Sequence, residues 1–315
     1  MCEENKTKVT EFHFLGFRNL YNFRMLFFII LLVIYIAIVV GNLMIILLVS
    51  FIDHLQIPMF YFLKHLAVAD LLLTTTVVPV MLDIILKEEA VISVIGCLIQ
   101  FYAFGIFVTI QCFVLAVMSY DRYLAICNPL HYVFLMNPKR CVQLMFGSWS
   151  LMVVVVSSEM ISISQFEFCG LNTIDNFVCD IGPIVELSSS DSSVFIMEDF
   201  VFAILMIVFP FVFIIITYIC IFITILKISS STGRKKAFST CSSHLTTVCT
   251  YYGTLITVYI APSDRNLGDG NLYISLLYIL VTPFMNPIIY SLTNHEIKRA
   301  IKKVLKRTRM VMGGQ

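Results

Sequence analysis

Seven long apolar stretches, separated by short polar segments, occupy most of this 315-residue chain. A helix needs roughly 20 mostly apolar residues to cross a bilayer. The stretches cover residues 25–50, 58–86, 96–120, 142–158, 199–226, 237–261 and 272–292. The pattern predicts an all-α membrane protein in which residues 25–292 form a seven-transmembrane helix bundle. The longest connection, residues 161–197, joins the fourth helix to the fifth.

The composition supports a lipid-facing surface. Hydrophobic residues make up 59% of the chain and charged residues 13%, whereas a soluble domain carries about 25% charge. The net charge of +1 gives no reason to expect a nucleic-acid partner. None of the ten cysteines forms a C-x-x-C pair, a spacing typical of zinc and redox sites. We therefore expect no metal and no cofactor.

The distribution of basic residues sets the expected orientation. With the amino terminus outside, 15 of the 21 lysines and arginines fall on the inner side. Because basic residues concentrate on the cytoplasmic side, we expect a multi-pass plasma-membrane protein with an extracellular tail (residues 1–24) and a cytoplasmic tail (residues 293–315). Asn5 begins an Asn-Lys-Thr sequon on the outer tail, which predicts glycosylation there, although so short a motif also occurs by chance.

The cytoplasmic tail has the pattern of an amphipathic helix. Ile297, Ile301, Val304 and Leu305 recur at helical spacing within residues 295–309, and cations occupy the other face. Such a helix lies on the anionic cytoplasmic leaflet, so we expect membrane lipid as a partner. The alternative is a disordered basic tail.

Strongly polar side chains within the apolar stretches are expensive in lipid and usually functional. Asp70 lies deep in the second stretch, and Asn42 and Asn286, in the first and seventh, could meet it across a bundle. Such a cluster would be a hinge or an ion site. The alternative is a structural hydrogen-bond network without a switching role.

Asp121, Arg122 and Tyr123 end the third stretch. An arginine beside an aspartate at the inner mouth of a bundle can hold one pairing when the bundle is closed and another when a partner docks. An arginine that merely extends its charge to the membrane interface would explain the same three residues.

Four longer motifs make the interpretation specific. In chain order they are PMFYFLKHLAVADL (58–71), MSYDRYLAICNPLHY (118–132), KAFSTCSSH (236–244) and PFMNPIIYSLTN (283–294). They resemble the signatures of the olfactory (odorant) receptors, within the rhodopsin-like G-protein-coupled receptor family. Gly41, Asn42 and Trp149 also match, and the resemblance runs from residue 10 to about residue 305.

The resemblance implies a receptor with an odorant cavity in its outer half. Agonist binding would swing the inner end of the sixth helix outward. A heterotrimeric stimulatory G protein would then dock in the cleft and raise cyclic AMP. Arg122 would be the latch, and Cys97 would be disulfide-bonded to Cys179. The implied activation switch comprises Asp70, Asp121, Arg122, Tyr123, Tyr218, Asn286, Pro287 and Tyr290.

Two departures from the family pattern leave questions open. Cys169 fits one half of a second outer-loop disulfide, but Ser189 occupies the other half. Cys169 is then either free or paired elsewhere, for example with Cys2. Gln111 stands where the family commonly has a glutamate, so cation binding near Asp70 is in doubt.

The candidate cavity is obtained by stepping one and two turns inward from Cys97 and across to neighbouring helices. Its candidate ligand-binding residues are Phe104, Gly105, Val108, Thr109, Phe202, Met206, Tyr252, Leu255, Ile256, Tyr259 and Ile279. This apolar, aromatic set with a few hydroxyls suits a small, volatile, uncharged odorant. Ordinary helix packing would explain each residue equally well.

Other classes of protein fit the chain less well. A transporter should show repeated halves, several intramembrane charges or broken helices. A catalytic site is not indicated, because the six histidines are dispersed and most belong at loops or helix ends. The remaining alternative is a receptor of the same fold for a non-odorant small ligand, acting outside the olfactory epithelium.

Overall fold

The computed structural model describes residues 8–16, 23–260 and 270–312. In chain order its elements are β1 (Glu11–Leu15), α1 (Arg24–Phe51), α2 (Pro58–Lys87), β2 (Glu89–Ser93), α3 (Val94–Cys127), α4 (Pro129–Leu135), α5 (Pro138–Ser164), β3 (Thr173–Ile174), α6 (Ile181–Leu187), α7 (Ser193–Ala203), α8 (Phe209–Lys227), α9 (Ser231–Ile260), α10 (Gly270–Leu276), α11 (Thr282–Thr293) and α12 (His295–Met312).

Seven helical segments of the described chain correspond to the seven predicted ones. Five of them are long and apolar enough to cross a membrane, namely α1, α2, α3, α5 and the continuous segment Ser193–Lys227. The sixth is α9, and the seventh consists of α10 and α11. The observed helices run past the predicted ends, because polar residues continue a helix beyond the apolar stretch that predicts it. Residue 261, the predicted end of the sixth helix, lies outside the described residues.

Helix α3 lies at the centre of the bundle. It contacts α2, α5, α8 and α9, while α1 contacts α2 and α11. The interior is apolar and includes the fully buried Phe62 and Leu66, yet large apolar side chains such as Phe146, Val154 and Phe209 are exposed. Exposed apolar side chains in this number are unusual on a water-solvated protein, and they are expected where the bundle faces lipid.

Polar residues and prolines set the starts of the long helices. The Ser93 hydroxyl accepts a hydrogen bond from the Gly96 amide at 3.0 Å, and the Asn137 side chain accepts one from Arg140 at 3.0 Å. Both are N-caps for helices whose first amides lack partners. Pro58 and Pro138 occupy first-turn positions, where the missing amide hydrogen costs nothing.

Two of the spanning segments contain a π turn. Ile204–Val208 joins α7 to α8, and Leu277–Val281 joins α10 to α11. Each turn comes shortly before a proline, Pro210 or Pro283. A proline ring crowds the carbonyl four residues earlier and donates no hydrogen bond, and a wider turn relieves that conflict. In the turn before α11, three successive side chains are buried, namely Tyr278, Ile279 and Leu280. In a regular α-helix, three successive side chains would point in directions spread over about 200°.

A three-stranded sheet caps one end of the bundle, which we name the sheet end. Strand β1 lies between β2, to which it is antiparallel, and β3, to which it is parallel. His13 is paired with both Val91 and Thr173, and its side chain contacts Glu89. Phe12 and Phe14 alternate with it and are fully buried. The apolar pattern did not predict this sheet, which anchors the amino-terminal segment to the loops.

Disulfide bonds fasten the long connection at the same end. Cys97, in the first turn of α3, is bonded to Cys179, and the Cys179 amide donates to Gln100 Oε1 at 3.0 Å. Cys169 is also disulfide-bonded, which decides against the free-thiol alternative. Cys2, the other partner considered for it, lies outside the described residues.

The basic tail is helical. Helix α12 follows α11 directly, and the Asn294 side chain accepts hydrogen bonds from the amides of Glu296 and Ile297 at 3.0 and 3.3 Å. Ile297 and Ala300 are buried, and α12 contacts α11 and α1. The structure therefore favours the amphipathic helix over the disordered tail.

Candidate functional site

An aromatic cluster connects three helices and a π turn in the half of the bundle nearer the sheet end. We define it as Phe104, Phe211, Tyr251, Tyr252 and Tyr278. The Tyr252 ring centroid lies 4.4 Å from that of Phe211 and 5.2 Å from that of Tyr251. Tyr278 lies 6.4 Å from Tyr251 and 6.2 Å from Phe104. Tilted and edge-on rings at these separations attract one another, so the cluster holds α3, α8 and α9 to the π turn before α11.

Tyr251 fixes α9 against α3. Its ring is fully buried, and its hydroxyl donates to the Val108 carbonyl at 2.9 Å. The same hydroxyl lies 3.1 Å from Cys112 Sγ, one turn further along α3. A phenol held at both positions cannot rotate without losing a hydrogen bond. Displacement of Tyr251 therefore breaks contacts that hold α9 against α3.

The predicted ligand-binding residues occupy several environments. Val108, Met206, Tyr252, Leu255 and Ile279 are buried between helices, and Phe104, Thr109 and Phe202 are half-buried. Gly105 faces α5, because an added Cβ would lie 3.2 Å from Val156 Cγ1. Ile256 is 45% exposed whereas Leu255 is 6% exposed, so Ile256 faces away from the bundle. The side chain of Tyr259 lies outside the described residues.

Two clefts lie away from these residues. One, of about 300 Å³, is between β2 and the end of α2, lined by residues such as Phe14, Pro79 and Asp83. The other, of about 220 Å³, lies among α3, α5 and α8 beside Tyr120 and Phe213. Neither contains a predicted ligand-binding residue, so neither is the cavity expected from the sequence.

A buried polar layer lies in the middle of the bundle. The Asn286 amide donates to Asp70 Oδ2 at 2.8 Å, joining α11 to α2. The Asn42 amide donates to the carbonyls of Ile38 and Pro283, each at 3.0 Å. The layer therefore connects α1, α2 and α11. Asn286 meets Asp70 as the sequence predicts, whereas Asn42 donates to the backbone of α11.

Several atoms of this layer are not paired within the protein. Asn42 Oδ1, Asp70 Oδ1 and Asn286 Oδ1 are buried and have no hydrogen-bond partner, and neither does Gln111 Nε2. Buried polar atoms without partners destabilise a structure, and they allow more than one hydrogen-bonding arrangement. A layer of this kind can change its pairing when the helices shift.

Close packing brings α1 to the proline of α11. A Cβ added at Gly41 would lie 2.9 Å from Pro287 Cβ, a distance too short for real side chains. Gly41 is therefore required for α1 to approach α11 at this point. The approach places Asn42, the next residue, within reach of the Pro283 carbonyl.

Arg122 is held in a buried ion pair at the opposite end of α3, which we name the switch end. Its Nε donates to Asp121 Oδ2 at 3.0 Å, and its terminal nitrogen contacts the same oxygen. The Tyr132 hydroxyl donates to Asp121 Oδ1 at 2.8 Å. Burial raises the pKa of Tyr132, and the Asp121 carboxylate raises it further, so the phenol keeps the proton that it donates. Both oxygens of the Asp121 carboxylate thus accept hydrogen bonds while Arg122 stays buried.

A second contact closes the switch end between α8 and α9. Tyr218 and His244 are hydrogen-bonded at 2.7 Å with stacked rings, and the other His244 nitrogen lies 3.2 Å from the Leu115 carbonyl. Further along, Ile221 and Ile225 of α8 pack on Cys241 of α9. These contacts hold the start of α9 against α3 and α8.

The comparison with known proteins identifies the family. The family profile described as olfactory receptor matches residues 31–308. The chain belongs to the olfactory receptor family. It is 41% identical to olfactory receptor 11L1 of Homo sapiens, over 98% of this chain and 95% of that protein. It is 47% identical to olfactory receptor 5P81 of Mus musculus, over 96% of each, and 42% identical to olfactory receptor 11A1 of Homo sapiens, over 94% of each.

Membership establishes the broad function. This olfactory receptor is an odorant-sensing G-protein-coupled receptor, a seven-helix protein of the plasma membrane, and it is not an enzyme. The alternatives of a transporter and of a catalytic protein are therefore discarded.

Three buried residues of the receptor were missed by sequence reasoning. His244 was treated with histidines that mostly belong at loops or helix ends, yet it is fully buried within α9. Its position in the KAFSTCSSH motif was the available signal. Tyr251 is not among the predicted residues, although its neighbour Tyr252 is. Tyr278 is not among them either, because helical stepping assumes a regular turn where the structure has a π turn.

Proposed function

We propose that this receptor binds a small, mostly apolar, uncharged odorant beside the aromatic cluster and activates a stimulatory G protein that raises cyclic AMP. In this arrangement residues 25–292 form the membrane domain, residues 1–24 an extracellular tail and residues 293–315 a cytoplasmic tail on the lipid surface. The sheet end then faces outside, and the switch end faces the G protein.

The observation that carries the proposal is the position of Tyr251 and His244 on α9. They are seven residues apart, which is about two turns and roughly 10 Å along one face of a helix. Tyr251 contacts α3 within the aromatic cluster, and His244 contacts α3 and α8 at the switch end. No proline interrupts α9. A ligand that displaces Tyr251 therefore strains the His244 contacts through a continuous helix.

The chemistry of the cluster favours an apolar ligand. Its side chains are five aromatic rings, and the adjoining predicted residues Val108, Met206, Leu255 and Ile279 are aliphatic or thioether side chains. A ligand that buries roughly 250 Å² of apolar surface gains about 6 kcal/mol, and association costs several kcal/mol. We expect an affinity that is micromolar or weaker.

The charges at the switch end support an inside position for it. Lys139, Arg140, Lys227, Arg234 and Lys235 belong to the loops and helix ends on this side, and basic loops remain in the cytoplasm. The disulfide-bonded sheet end then faces the oxidising lumen and cell exterior, where disulfides persist. Asn5 would be glycosylated on that side.

The test is a cyclic AMP assay in cells that express an epitope-tagged receptor, with surface display measured in parallel. A panel of neutral apolar odorants, acids and amines is applied to the wild type and to Tyr252→Ala and Ile256→Ala. We expect a dose-dependent response to a neutral class, weakened at least tenfold in Tyr252→Ala. Ile256→Ala is the matched control, because its side chain faces away from the bundle, and its response should be unchanged. Equal responses of both variants would contradict the proposed position of the ligand.

A further inference from the structure

We propose that Lys64 and Tyr61 form a binding site for an anionic phospholipid of the inner leaflet, on the lipid-facing side of α2 beside α5. The proposal rests on the orientation proposed above, with the switch end inside, but it does not depend on the odorant or on the G protein.

Lys64 lies on the face of α2 that is directed towards lipid. Tyr61, Lys64 and Val68 are half-buried and Leu72 is exposed, whereas Leu63, one position from Lys64, is buried. Residues three and four positions apart share one face of a helix, so the first four side chains form a stripe. Its other members are aromatic or aliphatic, and Lys64 therefore places a cation on a surface that otherwise suits hydrocarbon.

The ammonium of Lys64 is directed towards the switch end. It lies over the ring of Tyr61, 5.9 Å from the ring centroid, and Tyr61 is one turn nearer the start of α2. Lys64 is six residues beyond Pro58, the first residue of α2, which is about 9 Å along the helix axis. A lysine at this depth extends its charge towards the headgroups, and the aromatic ring beneath it stabilises the cation.

Lys64 has no anionic partner within the residues that the structure describes. Lys87, at the other end of the same helix, differs in this respect, because its ammonium lies 2.8 Å from the Asp83 carboxylate. A cation without a counter-ion is expensive at a lipid-facing position. The counter-ion for Lys64 must come from the membrane, and anionic headgroups are concentrated in the cytoplasmic leaflet.

Helix α5 forms the other side of the site. The Trp149 indole donates to His65 Nδ1 at 3.3 Å, and the His65 ring packs edge-on against Tyr61 with the centroids 4.8 Å apart. Nearer the switch end, the Cys141 thiol is close enough to act on Tyr61 electrostatically, and the exposed Arg140 precedes it. The first turns of α2 and α5 contain no acidic residue, and helix N-termini favour anions. Both helices thus offer positive charge to a headgroup, and neither first turn offers a competing carboxylate.

The decisive experiment is photolabelling of the purified full-length receptor in detergent micelles, with a phosphatidylserine that carries a photoreactive group beside its headgroup. Cleavage after glutamate and aspartate gives fragment 54–70, which contains Tyr61 and Lys64, and fragment 297–315, which contains the basic residues of α12. We expect both fragments to be labelled in the wild type. In Lys64→Gln, the label on fragment 54–70 should fall about fivefold, the factor that corresponds to one cation at an anionic membrane surface. The label on fragment 297–315 should not change.

Two further variants control for the position and the charge of the lysine. Lys87→Gln removes an ammonium of α2 that already has a partner, so it should leave both labels unchanged. Lys64→Arg keeps the charge and should keep the label on fragment 54–70. A label on that fragment that is as strong in Lys64→Gln as in the wild type would overturn the proposal.

Competition in the wild type identifies the source of the phosphate without any variant. Excess unlabelled phosphatidylserine should reduce the label on fragment 54–70 severalfold, whereas phosphatidylcholine and inorganic phosphate should not. Equal competition by phosphatidylcholine would mean that Lys64 only extends its charge to the interface, and competition by inorganic phosphate would assign the site to a free anion. Either result would overturn the proposal, and neither would affect the proposed odorant response, because the experiment measures no signalling.

Discussion

The sheet end and the switch end of this receptor are held together by different forces. At the sheet end, a disulfide joins Cys97 to Cys179 and three strands from distant parts of the chain pair in one sheet. At the switch end, α9 is held by the Tyr218–His244 contact and by a small apolar group around Cys241. Covalent bonds persist while the protein works, whereas a few hydrogen bonds exchange readily. In the proposed mechanism, the sheet end is the fixed frame against which α9 would move.

The largest expected effect comes from removing the disulfide bond at the sheet end. Cys179→Ser removes a disulfide, which in small extracellular domains typically costs about 2–5 kcal/mol, and it leaves the thiol of Cys97 available for incorrect pairing. We expect no mature receptor at the cell surface, measured by antibody labelling of an amino-terminal epitope and by glycan maturation. Cys97→Ser should behave identically. Cys249→Ser is the control, and a normal surface level of Cys179→Ser would show that the frame is dispensable.

Replacement of Arg122 should abolish signalling without preventing assembly of the receptor. Arg122→Ala deletes the buried guanidinium that is paired with Asp121, while the sheet-end bonds remain. We expect the cyclic AMP response to fall to background while the receptor remains in the membrane. The double variant Asp121→Asn/Arg122→Ala removes the orphaned carboxylate and controls for its destabilising effect. Normal signalling by Arg122→Ala would count against a latch at this position.

An intermediate effect is expected where α1 meets α11. Gly41→Val forces a branched side chain against Pro287, and overpacking of this kind typically costs about 1–3 kcal/mol. The thermal midpoint of detergent-purified receptor should fall, and the Asn42–Pro283 hydrogen bond should weaken. Gly147→Ala is the matched control, because nothing lies within 4 Å of its added Cβ. Equal midpoints for the two variants would argue against the close approach.

The smallest effect should come from the contact between α8 and α9. Tyr218→Phe and His244→Phe each remove one partner of the 2.7 Å hydrogen bond. In a double-mutant cycle of thermal stability, we expect a coupling free energy of about 1 kcal/mol. The pair Tyr218→Phe with Thr246→Ala should show no coupling, because the Thr246 hydroxyl donates to the Ser242 carbonyl of its own helix. Additive effects of the first pair would mean that the contact does not hold the switch end.

Much of the fold was predictable, because an apolar stretch of membrane length predicts a helix whose hydrogen bonds are all local. No knowledge of contacts between distant parts of the chain is needed. The seven segments follow from that signal, and so does the meeting of Asp70 with Asn286. The sheet was not predictable, since strands of five and two residues pair across 74 or more positions of sequence (Leu15 with Glu89 is the shortest separation, 89 − 15 = 74). Helical stepping cannot anticipate that Ile256 faces away from the bundle or that the helix widens at Tyr278.

The π turn at Leu277–Val281 also has an evolutionary consequence. Such a turn contains one more residue than a regular turn, so deletion of a single residue would leave a continuous α-helix. The part of the chain after the turn would keep its place through Asn286 and Pro287, while Gly270–Leu276 would rotate by about 100°. A one-codon deletion would thus change which side chains of α10 face the bundle and leave the polar layer intact.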